Sequence, residues 1–273
     1  MTAWRFQPRI VTCWDTLQDD GAALLSACIQ VSPSIPATAA YRLFYCIRED
    51  GALNMYLFEH TPVEEDPLVY SGIHRNTRHA LEAYVDLFNL VADGSGGYLE
   101  FLKHMGNRMN HGVKAAEHGA LLSAFEEKTG MAGAGEKYTF SSKMKIFRRL
   151  SPSWEEEQNR TGWEPAWWNT PKQFIETDLY QAFRTCSTHS HPDLFTRLVT
   201  KADTVAVHEK AARTLLRQNL AYFRKGLYLI YMLSGHHEEN GEREEILERM
   251  EISFDAIRPW AEGQAPVLME ELP

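Results

Sequence analysis

The sequence predicts a mainly α-helical protein with a small β-hairpin element near its N-terminus. From residue 76 onward, apolar residues recur at three- and four-residue steps, which places them on one face of a helix. Before residue 70, two runs rich in aromatic and aliphatic residues flank an Asp-Gly pair, which is typical of a hairpin turn. We therefore expect a single domain over residues 1–273, in which a β-containing element at 1–70 packs on a helical body at 76–260.

Composition excludes several classes of protein. The chain is 44% hydrophobic and 24% charged, as expected for a protein with a packed core. Its formal net charge of −9 argues against nucleic-acid binding, since such proteins carry basic surfaces. No apolar run approaches the roughly 18–20 residues that span a bilayer, so we expect no membrane partner. The four cysteines are widely spaced without a CxxC pair, which favours a reducing cytoplasm.

The N-terminal region contains the predicted hairpin. Its strands are Tyr41 to Ile47 and Leu53 to Glu59, and the turn between them is Arg48 to Gly51. A short helix is predicted near Asp19 to Ile29, after a weakly alternating stretch from Trp4 to Trp14. Because a two-stranded hairpin is not stable alone, this element must pack on the helices that follow.

The helical body is divided by capping signals. Thr77 is the predicted N-cap of a helix that stops at Asp93 to Gly97, and a second helix follows from Tyr98 to Lys128. Ser153 and Glu156 fit a capping box of a short helix. Three more helices are predicted: one from Thr170-Pro171, one from Asp203 or Thr204 to Ser234, and one from Glu242 to Ile257, stopped at Pro259.

The helix after the Gly-rich loop carries His104, His111 and His118, seven residues apart. Seven residues fall only about 20° short of two turns, so the three side chains share one face. Several glycines surround them, which indicates close approach of a cofactor, a substrate or another helix. The histidines are about 10 Å apart along the axis, so they cannot share one metal ion.

A local resemblance points to an iron cofactor. The stretch from His79 to Tyr98, about 20 residues, resembles a segment of the histidine-ligated haem enzymes related to tryptophan 2,3-dioxygenase. In that family a helix with the haem histidine precedes a Gly-Ser/Thr-Gly-Gly loop near the substrate. The resemblance implies that His79 is the haem ligand and that the loop contains Gly94, Ser95, Gly96 and Gly97.

These features lead to the hypothesis of an oxidoreductase or oxygenase that uses a histidine-held iron cofactor, haem or non-haem, on a small aromatic substrate. One histidine binds the iron, and a second acts as hydrogen-bond donor or base. Ser95 and nearby backbone amides hold a substrate carboxylate at a helix N-terminus. The predicted metal ligands are His79 and His111; the predicted cofactor-binding residues are His79, Gly96, Gly97 and His104; the predicted catalytic residues are Ser95, His111 and His118.

The alternative hypothesis is a non-enzymatic helical interaction protein or assembly subunit. It explains why no common catalytic motif is present, such as GxSxG, GxxxxGK[ST] or HExxH. The Gly-rich helix is then a packing surface, and the aromatic stretch Trp163 to Trp168 is either a ligand wall or a partner anchor. A homo-oligomer and a different protein partner are both left open.

Overall fold

Every residue that the structure, a computed structural model, describes lies in an α-helix. The described residues are 8–31, 35–60, 68–92, 140–161, 179–190, 205–233 and 241–261. The prediction of a mainly α-helical protein is therefore confirmed. None of the helices in these ranges is long and apolar enough to cross a membrane. In chain order the helices are α1 (Pro8–Val31), α2 (Ile35–His60), α3 (Leu68–Ala92), α4 (Phe140–Thr161), α5 (Leu179–Ser190), α6 (Val205–Leu233) and α7 (Gly241–Ala261).

The predicted β-hairpin is wrong, because both of its strands and its turn belong to the continuous helix α2. Gly51 lies inside this helix and serves packing: a Cβ atom there would be 3.3 Å from Cζ2 of Trp14. The weakly alternating stretch before residue 15 is also helical from Pro8 onward. The buried side chains of α2 follow the helical period of three or four residues and include Tyr41, Phe44, Ile47, Asn54, Met55 and Phe58.

Two predicted caps are also wrong. Thr77 lies nine residues after the first residue of α3, and Ser153 lies within α4, so neither begins a helix. Thr77 is fully buried and bonds to side chains of other helices instead. By contrast, the helix predicted to begin after Asp203 or Thr204 is observed as α6, from Val205 to Leu233.

The chain divides into two compact units. One contains residues 1–84 and 164–273, and the other contains residues 85–163. The prediction that the chain forms a single domain stays a prediction.

The first unit is built around α6, whose residues between Leu215 and Ile230 are mostly buried. Helix α1 comes very close to α6 at Gly21, where a Cβ atom would lie 2.8 Å from Cζ of Phe223. Phe44 of α2 and Phe254 of α7 lie against the same ring, with centroid distances of 5.3 and 6.0 Å. The aromatic side chain of Phe223 therefore joins α1, α2, α6 and α7 in one core.

An ion pair adds a second link between α1 and α7. Arg249 donates from Nε and Nη2 to Oδ1 of Asp20, at 3.2 and 2.6 Å. The Asp20 side chain is buried, while that of Arg249 is half exposed. The methylene groups of Arg249 can cover apolar surface where α1 and α7 meet, while its guanidinium stays partly exposed to water.

In the second unit, the end of α3 packs on α4. Phe88 and Phe147 have ring centroids 4.5 Å apart. The buried Lys143 forms an ion pair with Asp86, and its backbone carbonyl accepts a hydrogen bond from Nδ2 of Asn89 at 3.1 Å. A lysine can be buried here because a carboxylate lies against its ammonium group.

Candidate functional site

The candidate site lies where α2 and α3 pack side by side in opposite directions. Position 72 of α3 is next to Leu57 of α2, and seven residues further along α3 His79 meets Asp50, seven residues earlier in α2. The Nδ1 atom of His79 is 2.6 Å from Oδ2 of Asp50. This antiparallel register brings together two residues that are 29 positions apart in the sequence.

The two side chains differ in exposure. The Asp50 side chain is 14% exposed, whereas that of His79 is 56% exposed, so the ring can be reached from solvent. The hydrogen bond fixes the orientation of the imidazole and favours a proton on Nδ1. Histidines that bind metals are commonly held in this way by a carboxylate on the other ring nitrogen. The arrangement can therefore support a metal ligand or a proton-transferring group.

A buried polar cluster lies next to this pair. Oγ1 of Thr77 accepts hydrogen bonds from the side-chain amides of Asn54 at 3.1 Å and Asn219 at 2.8 Å. Asn76 in turn donates to Oδ1 of Asn54 at 3.0 Å. All four side chains are buried, and they tie α2, α3 and α6 together. Because buried amides strongly favour a single set of partners, this cluster fixes the position of the α3 segment that carries His79.

Further along α3, two tyrosines and a cysteine form a buried group. The rings of Tyr84 and Tyr222 stack with centroids 5.5 Å apart. Burial raises the pKa of the Cys186 thiol to about 12, against a smaller lowering by Arg78. Burial, with smaller contributions from Cys186 and Tyr84, also raises the pKa of Tyr222 above its usual range. The Cys186 thiol and the Tyr222 phenol therefore stay protonated at neutral pH.

Among the residues proposed from the sequence, His79 is the one that the structure describes. The others lie outside the described residues, so their proximity to His79 stays a prediction. Within the described helices, no group of three His, Cys, Asp or Glu side chains is placed to hold a metal ion. The predicted residues outside the described ranges are Ser95, Gly96, Gly97, His104, His111 and His118.

Asp50 is a candidate functional residue that local sequence patterns do not reveal, because Asp-Gly is typical of a turn. The spacing of apolar residues around Asp50 does contain a signal for its place on a helix. If Phe44, Ile47 and Phe58 are placed on one face of a helix, Asp50 falls at the edge of that face, where it can reach a neighbouring helix. Nothing in the sequence indicated which neighbour it would meet.

Comparison with family models, with curated proteins and with solved structures finds no match to this chain.

Proposed function

We propose that the protein is an oxidoreductase or oxygenase that holds an iron cofactor through His79 and acts on a small aromatic substrate. One observation carries the proposal: the 2.6 Å hydrogen bond between Nδ1 of His79 and the carboxylate of Asp50. The proton on Nδ1 leaves Nε2 as the metal-binding nitrogen, and the carboxylate makes the imidazole a stronger donor. Bound iron would supply oxygen activation, which protein side chains cannot provide.

A haem and a mononuclear non-haem iron centre place different demands on the residues around His79. A haem needs one protein ligand, which His79 can supply from a half-exposed position. A mononuclear non-haem site needs several ligands, and the described helices place no three suitable side chains together. Further ligands would have to come from outside the described residues, where His111 is the first choice.

The remaining parts of the proposal rest on the sequence. Ser95, Gly96 and Gly97 bind the substrate carboxylate, His104 contacts the cofactor, and His118 is a candidate base. We place the protein in the cytoplasm, because the cysteines are widely spaced and the described ones form no disulfide with each other.

Titration of the full-length chain with ferric haem, and separately with Fe²⁺, tests the proposal. We expect one equivalent to bind, and we expect His79→Ala to weaken binding at least about 100-fold by removing the ligand. Asp50→Asn should weaken binding about 10- to 100-fold, because the carboxylate that orients the ring is lost. His60→Ala is the matched control, since it removes another exposed histidine from the same helix pair. It should bind like wild type.

Two results would contradict the proposal. The first is a full-length protein that takes up neither haem nor iron. The second is a cofactor that binds equally well to wild type and to His79→Ala. If His111→Ala alone removes binding, the ligand is His111 and the role of His79 is wrong.

A second candidate function is a helical interaction protein, and one observation favours it. Three of the four large apolar side chains that are exposed in the described residues lie on α2. Exposed apolar groups gathered on one element are typical of a docking surface. The test is copurification from the source cells. A stoichiometric partner should be recovered with wild type and lost with Trp167→Ala/Trp168→Ala or with Tyr56→Glu; a chain that recovers none would contradict this function.

A further inference from the structure

Buried polar atoms without a hydrogen-bond partner lie on the facing sides of α1 and α2. Within the described ranges, no group accepts a hydrogen bond from Nε1 of Trp14 or from Nε of Arg48, and neither Oε1 nor Nε2 of Gln18 has a partner. Trp14 is 5% exposed and Gln18 is 9% exposed. Because buried polar atoms are almost always paired in folded proteins, these atoms require an explanation. We call Trp14, Gln18 and Arg48 the α1–α2 donor cluster.

Two contacts define the register between α1 and α2. A Cβ atom at Gly51 of α2 would lie 3.3 Å from Cζ2 of Trp14 in α1. Seven residues further along α1, Gly21 lies against the ring of Phe223, and Phe44, seven residues earlier in α2, lies against the same ring. The two helices therefore run in opposite directions, with the same spacing between the contacts on each.

The donor cluster lies between these two contacts. In the antiparallel register, Gln18 of α1 is level with residues 47 and 48 of α2. Gln18 follows Trp14 by about one turn on the same face of α1. Arg48 precedes Gly51 by three residues, so the two positions differ by only about 60° around α2. The three side chains are therefore neighbours where the two helices face each other.

The cluster offers unused hydrogen-bond donors and one positive charge. Indole and guanidinium groups only donate, and the guanidinium is charged at every pH at which the protein is folded. Glu49, the carboxylate next to Arg48 in the sequence, accepts a hydrogen bond from the hydroxyl of Tyr45. The guanidinium of Arg48 lies 5.7 Å above the ring of Tyr45, which restricts its position without using its N–H groups. This arrangement favours a ligand that is negatively charged and accepts hydrogen bonds.

We propose that the α1–α2 donor cluster binds a small carboxylate anion. The Nε and Nη2 donors of an arginine match the two oxygens of a carboxylate, and the N–H groups of Trp14 and Gln18 can donate to the same oxygens. One negative charge balances the charge of Arg48, whereas a dianion such as phosphate would leave a net charge in a partly buried site. Arg48 is half-buried, so the ligand can enter from solvent.

This site is separate from the pair of His79 and Asp50. Arg48 and Asp50 are two residues apart, so their side chains leave α2 in directions about 160° apart. Asp50 meets His79 of α3, while Arg48 lies on the side of α2 that faces α1. Carboxylate binding at the donor cluster therefore does not depend on iron binding at His79.

Titration of the full-length chain with sodium acetate, followed by ¹H–¹⁵N NMR of the tryptophan indole groups, tests the proposal. The chain has seven tryptophans, and the signal that is lost in Trp14→Phe identifies Nε1–H of Trp14. We expect acetate to shift this signal until it saturates, with a Kd of roughly 0.1–10 mM. Sodium chloride at the same ionic strength should not produce this shift, which separates binding from charge screening.

Three variants test the roles of the individual side chains. Arg48→Gln should weaken acetate binding by about tenfold or more, because the charge and the paired donors are lost. Arg42→Gln is the matched control, since it makes the same change at an exposed arginine of α2, and it should bind acetate like wild type. Gln18→Met keeps the length of the side chain but removes its amide, so it should weaken binding by about threefold or more. Far-UV circular dichroism verifies that each variant is folded.

Four results would overturn the inference. The first is a Trp14 signal that does not respond to acetate. The second and third are affinities for acetate that are unchanged in Arg48→Gln or in Gln18→Met. The fourth is inorganic phosphate that binds more tightly than acetate, because the donor cluster would then not select a singly charged carboxylate.

Discussion

At the scale of single residues, Thr77 lies at the centre of a buried hydrogen-bond cluster. Its hydroxyl oxygen accepts hydrogen bonds from Asn54 of α2 and Asn219 of α6 in a region that water does not reach. A buried amide that loses its acceptor keeps the full cost of its desolvation. The cluster therefore stabilises the protein and also favours one position of α3 relative to α2 and α6.

We expect Thr77→Val to lower the free energy of unfolding by about 1–3 kcal/mol. Valine has nearly the same shape but no oxygen, so one N–H of Asn54 and one of Asn219 lose their acceptor. Each amide keeps its second bond, to the carbonyls of Ile73 and Leu215. Urea unfolding measures the change.

The matched control for this prediction is Thr16→Val. The Thr16 hydroxyl bonds at 2.9 Å to the carbonyl of Thr12 within its own helix, on the exposed side of α1. Its loss should change stability by no more than about 0.5 kcal/mol. Equal effects of the two substitutions would show that the buried cluster adds no stability beyond that of a surface threonine.

The candidate site was only partly predictable from its residues. A local resemblance proposes His79, and the structure places this residue at an exposed position that a ligand can reach. Asp50 was not identified, because Asp-Gly occurs in turns and a helix interior is an unfavourable place for glycine. Its role depends on a contact 29 positions away in the chain, which local spacing does not reveal.

At the scale of helices, close packing of backbones explains the glycines. Gly51 lies against Trp14 of α1, and Gly21 lies against the ring of Phe223 in α6. In each case the absence of a Cβ atom lets an aromatic side chain contact the helix backbone. This use of glycine outweighs its conformational cost, so α2 remains helical through Asp50-Gly51 where the sequence had predicted a turn.

A pair of glycine substitutions tests this explanation. We expect Gly21→Ala to destabilise the protein, because its Cβ atom would lie 2.8 Å from Cζ of Phe223, a buried ring confined between Phe44 and Phe254. Overpacking costs about 1–3 kcal/mol, and because this ring is confined we expect the upper part of that range, which exceeds the gain of about 1 kcal/mol from replacing a helical glycine.

Gly72→Ala supplies the comparison within the same experiment. Its Cβ atom would be 3.4 Å from Cδ1 of Leu57, which is ordinary van der Waals contact. The substitution should therefore stabilise the protein by up to about 1 kcal/mol. Relative to wild type, the urea concentration at the unfolding midpoint should fall for Gly21→Ala and rise for Gly72→Ala. If Gly21→Ala is also stabilising, the ring of Phe223 is not confined and the packing argument fails.

At the scale of the whole molecule, the sequence predicts the long helix α6 but not the helices that pack against it. The three- and four-residue spacing of apolar residues predicts both ends of α6 to within a few residues, because a long helix repeats its pattern many times. The partners of that helix are set by long-range contacts such as Phe223 with Phe44 and Thr77 with Asn219. These pairs are far apart in the chain, 142 positions in the case of Thr77 and Asn219, and leave no local signature.

The Cys186 thiol and the Tyr222 phenol are buried, and burial raises the pKa of each. The free energy of unfolding therefore changes with pH in the alkaline range. The pKa of Cys186 is raised by burial from its ordinary value near 9.0 to about 12. Below about pH 9 the thiol is protonated in both the folded and the unfolded state, so its contribution to stability is fully present. Between these two pKa values the unfolded chain loses a proton that the folded chain retains. Stability therefore falls as the pH rises through this range.

We expect the stability advantage of wild type over Cys186→Ala to shrink by up to about 1.4 kcal/mol per pH unit above about pH 9. Tyr222 also titrates only when the protein unfolds, but it is present in both proteins, so its effect cancels in the difference. Urea unfolding of the two proteins at intervals from about pH 7 to about pH 10.5 measures this quantity. In addition, Cys186 of the native wild type should resist iodoacetamide at about pH 8 until the protein unfolds. Parallel stability profiles, or rapid alkylation of native Cys186, would show that the thiol is accessible to water and that α5 does not pack as described.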